Sequence, residues 1–410
     1  MPTDISAKFP GWRNGREDGF DIEPLYINMG PSHPAMHGTV KMVLKLDGET
    51  VVHADVEIGY LHRCFEKTVE AKTWNQVIPY TDRLNYVSPL INNMGYCLAV
   101  EKLLGVQVPE RTDYIRTVMC ELSRIGDHLT CIGAGAMELG ALTAFLYFMK
   151  AREASWQLIE EVTGARLTIS YGRVGGVVRD LPASFAERWA WVKSQVEENL
   201  GEVATLLNGN RIFIDRMKGV GVMPLDRSLQ YGMTGPFARA AGFDYDVRRD
   251  EPYFAYGKVA FDVPTRSAGD NWARYEVRME EIRQSVRIID QALAAMPEGP
   301  VRVEDPRVSL PRKKEVYSNI EALMNHFKLL MPGHGIRPPA GEVYCAVEGG
   351  NGELGFWLIS DGSDRPWRVR VRPPCFAIMS GVEELILGEQ LADIVPVFGS
   401  VNMIGGELDR

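Results

Sequence analysis

The stretch GPSHPAMHG, from Gly30 to Gly38, lies between two segments with the character of β-strands. Glycine permits backbone angles that other residues avoid and proline fixes φ, so the stretch is predicted to be an irregular connection between strands. Its histidines, His33 and His37, are therefore carried on a loop, where binding and catalytic side chains concentrate. Because imidazole titrates near neutral pH, this is a candidate active loop. For either histidine alone, hydrogen bonding within the turn is an equally good interpretation.

The segments around the loop predict a small antiparallel sheet. Three stretches have the strand pattern: 24–29, 40–46 and 50–58. Asp47 and Gly48 between the last two are a strong hairpin signal, because glycine accepts the positive φ that tight turns require. The sequence therefore predicts an N-terminal arm over 1–22 and a β domain over 23–64 that carries the loop.

From about residue 65 the apolar residues recur at helical spacing. Helices are predicted at 85–104, 109–130, 140–163, 184–207 and 270–296. Pro109 is placed to open the second of these as a first-turn proline. We infer a helical bundle over 65–299. Residues 208–269, rich in glycine, proline and aromatic residues, are predicted to form a long ordered excursion over it.

The last part of the chain, 300–410, is predicted to be an α/β region. A helix at about 314–331 precedes three alternating strands: 342–347, 353–360 and 367–371. The predicted fold class is therefore α+β, a central helical bundle with small antiparallel sheets near the N- and C-termini.

Composition narrows the class of protein. The 410 residues are 45% hydrophobic and 24% charged, as in globular proteins, and the net charge of −9 argues against binding nucleic acid through bulk charge. The six cysteines form no CxxC pair or zinc spacing, so buried reduced thiols are expected.

The first twenty residues contain no apolar run that would indicate a signal or transit peptide, and a cytoplasmic chain is expected. The apolar stretch 131–149 carries Glu138 near its middle, which favours an interior helix pair over a membrane span.

Long blocks in order along almost the whole chain resemble one family. They include GPSHPAMHG at 30–38, ELSRIGDHL at 121–129, ELGALTAFLYF at 138–148, RVGGVVRDLP at 173–182, RMEEIRQSVRIIDQAL at 278–293 and GELGFWLISDG at 352–362. On these residues the chain resembles the D subunit of NADH-quinone oxidoreductase, a peripheral-arm subunit of respiratory complex I. The resemblance implies the fold of the large subunit of nickel-iron hydrogenases. Nickel needs several thiolates close together, whereas the N-terminal region has only Cys64 and the C-terminal run VNMIGGELDR has none, so no metal is expected.

The resemblance implies a quinone pocket. The quinone headgroup would be held between His37 and Tyr86, which can polarise its carbonyl oxygens and deliver protons. Glu138 stands where most of the family has an aspartate that orients the histidine. From the residues alone, Tyr86 would more often be a core residue, and Glu138 a carboxylate that reaches solvent or an arginine.

The resemblance also implies that the electrons come from another subunit. The chain has neither a cluster-binding cysteine set nor a glycine-rich dinucleotide fingerprint. Arg63 and Arg83 correspond to arginines that face the terminal iron-sulfur cluster of the neighbouring small subunit, although isolated arginines are more often surface or ion-paired residues. Thr168 stands where much of the family has a histidine near that cluster, and Cys64 stands where glycine is usual.

The function implied is that of the quinone-site subunit of a proton-translocating NADH-quinone oxidoreductase, active only within a multisubunit complex. The implied partners are the iron-sulfur small subunit (the B subunit), the C subunit, the ferredoxin-like I subunit and the membrane H subunit, with NAD and FMN bound elsewhere and no cofactor in this chain. The expected position is peripheral, on the cytoplasmic side of the bacterial inner membrane. Two alternatives stay open: the same quinone role in a complex fed by ferredoxin or a reduced deazaflavin, and a non-catalytic scaffold that docks iron-sulfur subunits onto a membrane module.

Overall fold

The predicted N-terminal sheet is present in the structure, a computed structural model that describes residues 25–33, 36, 39–331 and 333–410. Three antiparallel strands form it in the order β1 (Leu25–Met29), β2 (Lys41–Asp47) and β3 (Thr50–Glu57). The hairpin turn lies where Asp47-Gly48 predicts it, with Asp47 opposite Thr50 and Gly48 at a φ of 61°. The local turn chemistry therefore predicts the hairpin correctly, while the register shifts once along the strands, between Lys45 and Leu46.

The central part of the chain is helical. Its elements are α1 (Phe65–Glu70), α2 (Trp74–Thr81), α3 (Pro89–Leu104), α4 (Glu110–Glu138), α5 (Leu142–Thr163), the short hairpin β4 (Gly172–Arg173) and β5 (Gly176–Val177), α6 (Phe185–Asn208), α7 (Arg211–Met217), α8 (Leu225–Gln230), α9 (Gly235–Arg239), α10 (Val247–Asp250) and α11 (Asn271–Ala295). Helix α4 contacts α3, α5 and α11 and is the centre of the main apolar core. The short helices α7 to α10 occupy the predicted excursion, while the division into domains stays a prediction.

Helix α4 extends two turns beyond the predicted end at residue 130. Its glycines do not interrupt it, and one of them allows α5 to approach: a Cβ at Gly133 would lie 3.4 Å from the Phe145 ring of α5. The chain then turns at Gly140, with a φ of 87°, into α5. The stretch 131–149 is thus a helix pair as predicted, but the pair is not wholly interior, because Leu142 and Leu146 are 54% and 59% exposed. Within the described ranges no helix is both long enough and apolar enough to cross a bilayer. Pro109 is the N-cap of α4, one position earlier than predicted.

The polar face of α4 is fully buried and holds the bundle together through ion pairs. We call these pairs, together with those that continue them into the neighbouring helices, the α4 ion network: Arg116–Glu101 (2.6 Å), Arg124–Glu121 (3.3 Å), Arg248–Glu121 (3.2 Å), Arg248–Asp246 (2.6 Å) and Arg239–Glu281 (2.6 Å). A buried guanidinium is tolerated only with a counter-charge and satisfied hydrogen bonds, so these pairs fix how the helices meet.

The C-terminal region contains the second predicted sheet, β6 (Gly341–Glu348), β7 (Glu353–Ser360) and β8 (Arg368–Arg372), antiparallel in that order. The helix predicted at 314–331 is two helices, α12 (Lys313–Ser318) and α13 (Ile320–Leu330). They are separated at Asn319, whose side chain accepts a hydrogen bond from the Glu321 amide as the N-cap of α13. The α+β prediction is confirmed.

Four short helices that the sequence pattern does not predict end the chain: α14 (Pro374–Ser380), α15 (Val382–Ile386), α16 (Ile394–Val401) and α17 (Gly405–Asp409). They pack on the N-terminal sheet to form a second apolar core, in which Met42 and Leu44 of β2 meet Phe398 and Leu408. The two ends of the described chain therefore build one layer together, beside the helical bundle.

Candidate functional site

Tyr86 lies on the loop between α2 and α3 and is 37% exposed. Asn85 shapes this loop, since its Oδ1 accepts hydrogen bonds from the amides of Val87 and Ser88. Asp127 of α4 anchors the loop from below, accepting hydrogen bonds from Ser88 Oγ (2.6 Å) and Asn85 Nδ2 (3.1 Å). Tyr86 is thus presented at the surface by a rigid, buried support.

A buried polar cluster lies beneath this loop. Asn402 Nδ2 donates to Asp127 Oδ1 (2.9 Å) and to Asn351 Oδ1 (2.5 Å), and Asn351 Nδ2 donates to Cys375 Sγ (3.3 Å). The Cys375 amide donates to Glu407 Oε1 (3.3 Å). Burial raises the pKa of Glu407 to about 7, so this carboxyl can exchange a proton near neutral pH.

The same surroundings keep the Tyr86 phenol protonated. Burial raises the pKa of Tyr86 above its ordinary value, and the neighbouring Cys375 and Asp127 groups raise it further, while the positive Arg63 opposes them. A neutral phenol is a hydrogen-bond donor. Tyr86 can therefore donate a hydrogen bond to a ligand oxygen across the neutral pH range.

Arg63 and Arg83 lie together next to this loop. Arg63 Nη2 donates to the Arg83 carbonyl oxygen (2.7 Å), and Arg83 Nη1 donates to Asp82 Oδ1 (2.8 Å). Burial raises the pKa of Asp82 to about 6, against the opposing charge of Arg83. Both arginines are exposed, so the structure gathers Tyr86 and two cationic side chains on one surface.

The C-terminal helix α17 holds this surface in place, a role that the sequence pattern does not predict. The Asp409 carboxylate accepts hydrogen bonds from the amides of Gly59 (2.9 Å) and Leu61 (2.7 Å). Gly406 lies so close to the Tyr86 loop that a Cβ there would stand 2.6 Å from the Arg83 carbonyl oxygen. The signal in the sequence is the pair of glycines followed by acidic residues in GGELDR, which could have indicated a close packing turn.

Cys64 has a left-handed backbone, with a φ of 52°, at the start of α1. Glycine adopts this conformation without strain, which gives a physical reason for the glycine that the resemblance implies at this position. The Cys64 side chain is exposed, and its Sγ lies 3.7 Å from His62 Nε2.

Glu138 is the last residue of α4 and is half-buried against α16. Its Oε2 atom lies where a side chain at Gly399 would begin, 2.4 Å from the position of a Cβ there. In the GPSHPAMHG loop, Met36 is fully buried and its amide donates to the His33 carbonyl oxygen (3.0 Å). His37 lies outside the described residues, so its predicted pairing with Glu138 and Tyr86 stays a prediction.

Thr168 lies on the loop that follows α5, half-buried and with a φ of 50°. A positive φ is unfavourable for a β-branched residue. The hydrogen bonds that join Arg63 to Arg83 and support Tyr86 do not involve Thr168, and its predicted place near a partner's cluster stays a prediction. In the described part of the chain, no three His, Cys, Asp or Glu side chains are grouped to hold a metal ion.

Comparison with known proteins assigns the chain to a family. Residues 138–410 match the model of the respiratory-chain NADH dehydrogenase 49 kDa subunit family. The first of the D subunits of NADH-quinone oxidoreductase in Sorangium cellulosum is 56% identical over 396 residues, which cover 95% of this chain and 96% of that protein. The D subunit of Myxococcus xanthus is 52% identical over 94% of this chain and 92% of its own length. A fused C/D subunit of Bdellovibrio bacteriovorus is 50% identical, with 94% of this chain matching 69% of that protein. The chain therefore belongs to the D-subunit family of NADH-quinone oxidoreductase, the 49 kDa subunit family of respiratory complex I.

Proposed function

We propose that this chain forms one wall of the site where a proton-translocating NADH-quinone oxidoreductase reduces quinone. The observation that carries the proposal is the presentation of the Tyr86 phenol, protonated and partly exposed, on a loop anchored by buried Asp127. A non-catalytic docking scaffold would need no such donor. The family membership supports the same reaction.

The chemistry requires two electrons and two protons for each quinone reduced to quinol. A donor such as Tyr86 stabilises the negative charge that develops on a quinone oxygen and can then transfer its proton. In the proposal, His37 donates a hydrogen bond and a proton to the other quinone oxygen, and Glu138 orients His37. The carboxyl of Glu407 lies in the cluster beneath the Tyr86 loop, and a pKa of about 7 suits it to store a proton.

The electrons are proposed to arrive from an iron-sulfur cluster in the small B subunit, which the Arg63 and Arg83 surface would face. Positive charge beside a cluster favours its reduced form and raises its potential. The fused C/D relative supports the C subunit as a neighbour. We also propose the I and H subunits as partners, with FMN and NAD bound in other subunits of the complex. The proposed position of the chain is peripheral, on the cytoplasmic side of the inner membrane.

The test uses the purified complex with Tyr86→Phe. Loss of the donor should lower quinone reduction by about 10²–10⁴-fold. Electron transfer from NADH to an artificial acceptor at the input end should be unchanged. Tyr317→Phe, at an 82% exposed tyrosine of α12, is the matched control and should change neither rate. Equal loss of both rates in Tyr86→Phe would contradict a role in quinone chemistry.

A second measurement separates the electron donors. If NADH bleaches the clusters of the complex, the NADH-linked function holds. If only reduced ferredoxin or a reduced deazaflavin bleaches the clusters, the proposed quinone role of the chain still holds, but the proposal that NADH is the electron donor is wrong.

A further inference from the structure

A small cavity, partly open to solvent, lies between the end of α4, α7, the first turns of α11 and α16. Its volume is about 30 Å³, and we call it the α11 cavity. Its polar lining comes from Asn271, Tyr275 and Arg278 of α11 and from Ser400 of α16. The rest of the lining is mainly apolar and includes Ile132 and Ala136 of α4, Phe213 and Met217 of α7 and Pro396 of α16. A water molecule needs about 10–15 Å³ measured in this way, so the cavity admits one small species.

Two arginines of α11 at this cavity differ from the other buried arginines of the bundle. Arg274 is fully buried and Arg278 is 2% exposed, and they lie one helical turn apart. Each arginine of the α4 ion network has a carboxylate partner. Among the described residues, no carboxylate oxygen lies within the 4.0 Å ion-pair distance of Arg274 or Arg278.

Arg274 is satisfied only by neutral groups. Its guanidinium donates to the carbonyl oxygens of Gly221 (2.7 Å) and Gly269 (2.8 Å), to Asn271 Oδ1 (2.9 Å) and to Ser400 Oγ (3.0 Å). Burial and the charge of Arg278 lower the pKa of Arg274 to about 9, against the opposing charge of Asp270. Neutral acceptors thus satisfy most of its hydrogen bonds, and Asp270, which is not within ion-pair distance, compensates its charge only in part.

Arg278 has no hydrogen bond to any residue in the described part of the chain. Three buried donors near the cavity lack acceptors there: Arg274 Nε, Arg278 Nε and Asn271 Nδ2. An unpartnered buried donor destabilises the fold, and an unpaired buried charge destabilises it more. Water could accept these hydrogen bonds, but it would neutralise neither guanidinium charge.

We propose that the α11 cavity binds one small monovalent anion of chloride size, which is held by Arg278 and the Asn271 amide and neutralises one of the two guanidinium charges. The small volume favours a compact anion over phosphate or a larger carboxylate. The site is distinct from the Tyr86 surface but adjacent to Glu138, since Gly399 lines the cavity and also contacts Glu138 Oε2. Bound anion would therefore set the electrostatic potential at that carboxylate.

The probe is bromide, which can replace chloride and scatters X-rays anomalously. Crystals of the complex grown in bromide should show an anomalous peak beside Arg278 and Asn271. A cavity without that peak, or one filled by the Glu138 carboxylate in contact with Arg278, would overturn the proposal. This readout needs neither a variant nor quinone turnover, so its outcome is independent of the proposed function.

Hydrogen exchange of the complex in solution gives a second test. If chloride binds only the closed cavity, each tenfold increase above its dissociation constant slows exchange of α11 amides about tenfold, at constant ionic strength with gluconate as the replacement anion. Arg278→Gln should abolish this dependence. The matched control is Arg283→Gln, an exposed arginine of the same helix paired with Glu280, which should retain it. Equal exchange rates of the wild type in chloride and gluconate would overturn the proposal.

Discussion

The Gly399→Ala substitution in α16 displaces the Glu138 carboxylate at little cost to the fold. The new methyl group would stand 2.4 Å from Glu138 Oε2, so the carboxylate must move by about 1 Å to regain a contact of roughly 3.5 Å. Alanine is a better helix former than glycine by about 0.5–1 kcal/mol, which offsets the rearrangement. The unfolding free energy should therefore change by no more than about 1 kcal/mol.

Quinone reduction should respond far more strongly than stability to Gly399→Ala. If Glu138 orients a proton donor, a displacement of about 1 Å costs on the order of 10²-fold in rate. The assay compares the quinone-dependent rate with the artificial-acceptor rate in the purified complex, normalised to the amount of assembled complex. Only the quinone-dependent rate should fall.

A second substitution tests whether displacement of the Glu138 carboxylate is the cause of the slower quinone reduction. Glu138→Asp shortens the side chain by one methylene and withdraws the carboxylate from position 399, so the double variant should regain most of the activity lost in Gly399→Ala. Gly201→Ala in α6 is the control, because a Cβ there meets nothing within 4 Å. Normal quinone reduction in Gly399→Ala, or no recovery in the double variant, would refute the assigned role of Glu138.

Three further outcomes are expected. Because the folded-state pKa of Glu407 is raised to about 7, its stabilising contribution is complete below about pH 4.5 and is lost as pH rises through 7. Glu407→Gln should thus stabilise the complex at pH 8, by up to about 3 kcal/mol, and have no effect at pH 4.5, as followed by thermal unfolding; a pH-independent effect would contradict this. Glu101→Gln leaves the buried Arg116 without its counter-charge and should cost about 3–5 kcal/mol, seen as loss of assembled complex, while Glu304→Gln at an exposed pair should cost nothing measurable. The potential of the terminal cluster should vary little with pH in the wild type and gain a pH slope in Thr168→His, and a steep slope in the wild-type redox titration would contradict the prediction.

The sequence predicted those parts of the fold that depend on local chemistry. The Asp47-Gly48 turn and the period of the long helices need only neighbouring residues, and both are confirmed. The length of α4 depends on its packing against other helices, and the break at Asn319 depends on helix capping. The spacing of apolar residues along the sequence shows neither. Helices α14 to α17 have only five to eight residues each, so they contain too few helical turns for a periodic signal.

The residues of the candidate site were also predictable only in part. Tyr86, Arg63 and Arg83 came from the family resemblance, and the structure brings them together. Asp127 could be predicted as polar but not as the anchor of the Tyr86 loop, because a contact between residues about 40 positions apart leaves no local mark. Asp409 was missed for the same reason, since it is 350 positions from Gly59.

The second core has a consequence for how the protein is made. The apolar face of β1 to β3 is covered by α14 to α17, whose residues follow β3 by more than three hundred positions. At translation rates of roughly 5–20 residues per second, that face stays uncovered on the ribosome for roughly 20–70 s. An apolar face exposed for so long can associate with other nascent chains. Chaperone capture of residues 25–57 during synthesis is therefore expected to raise the yield of the folded subunit.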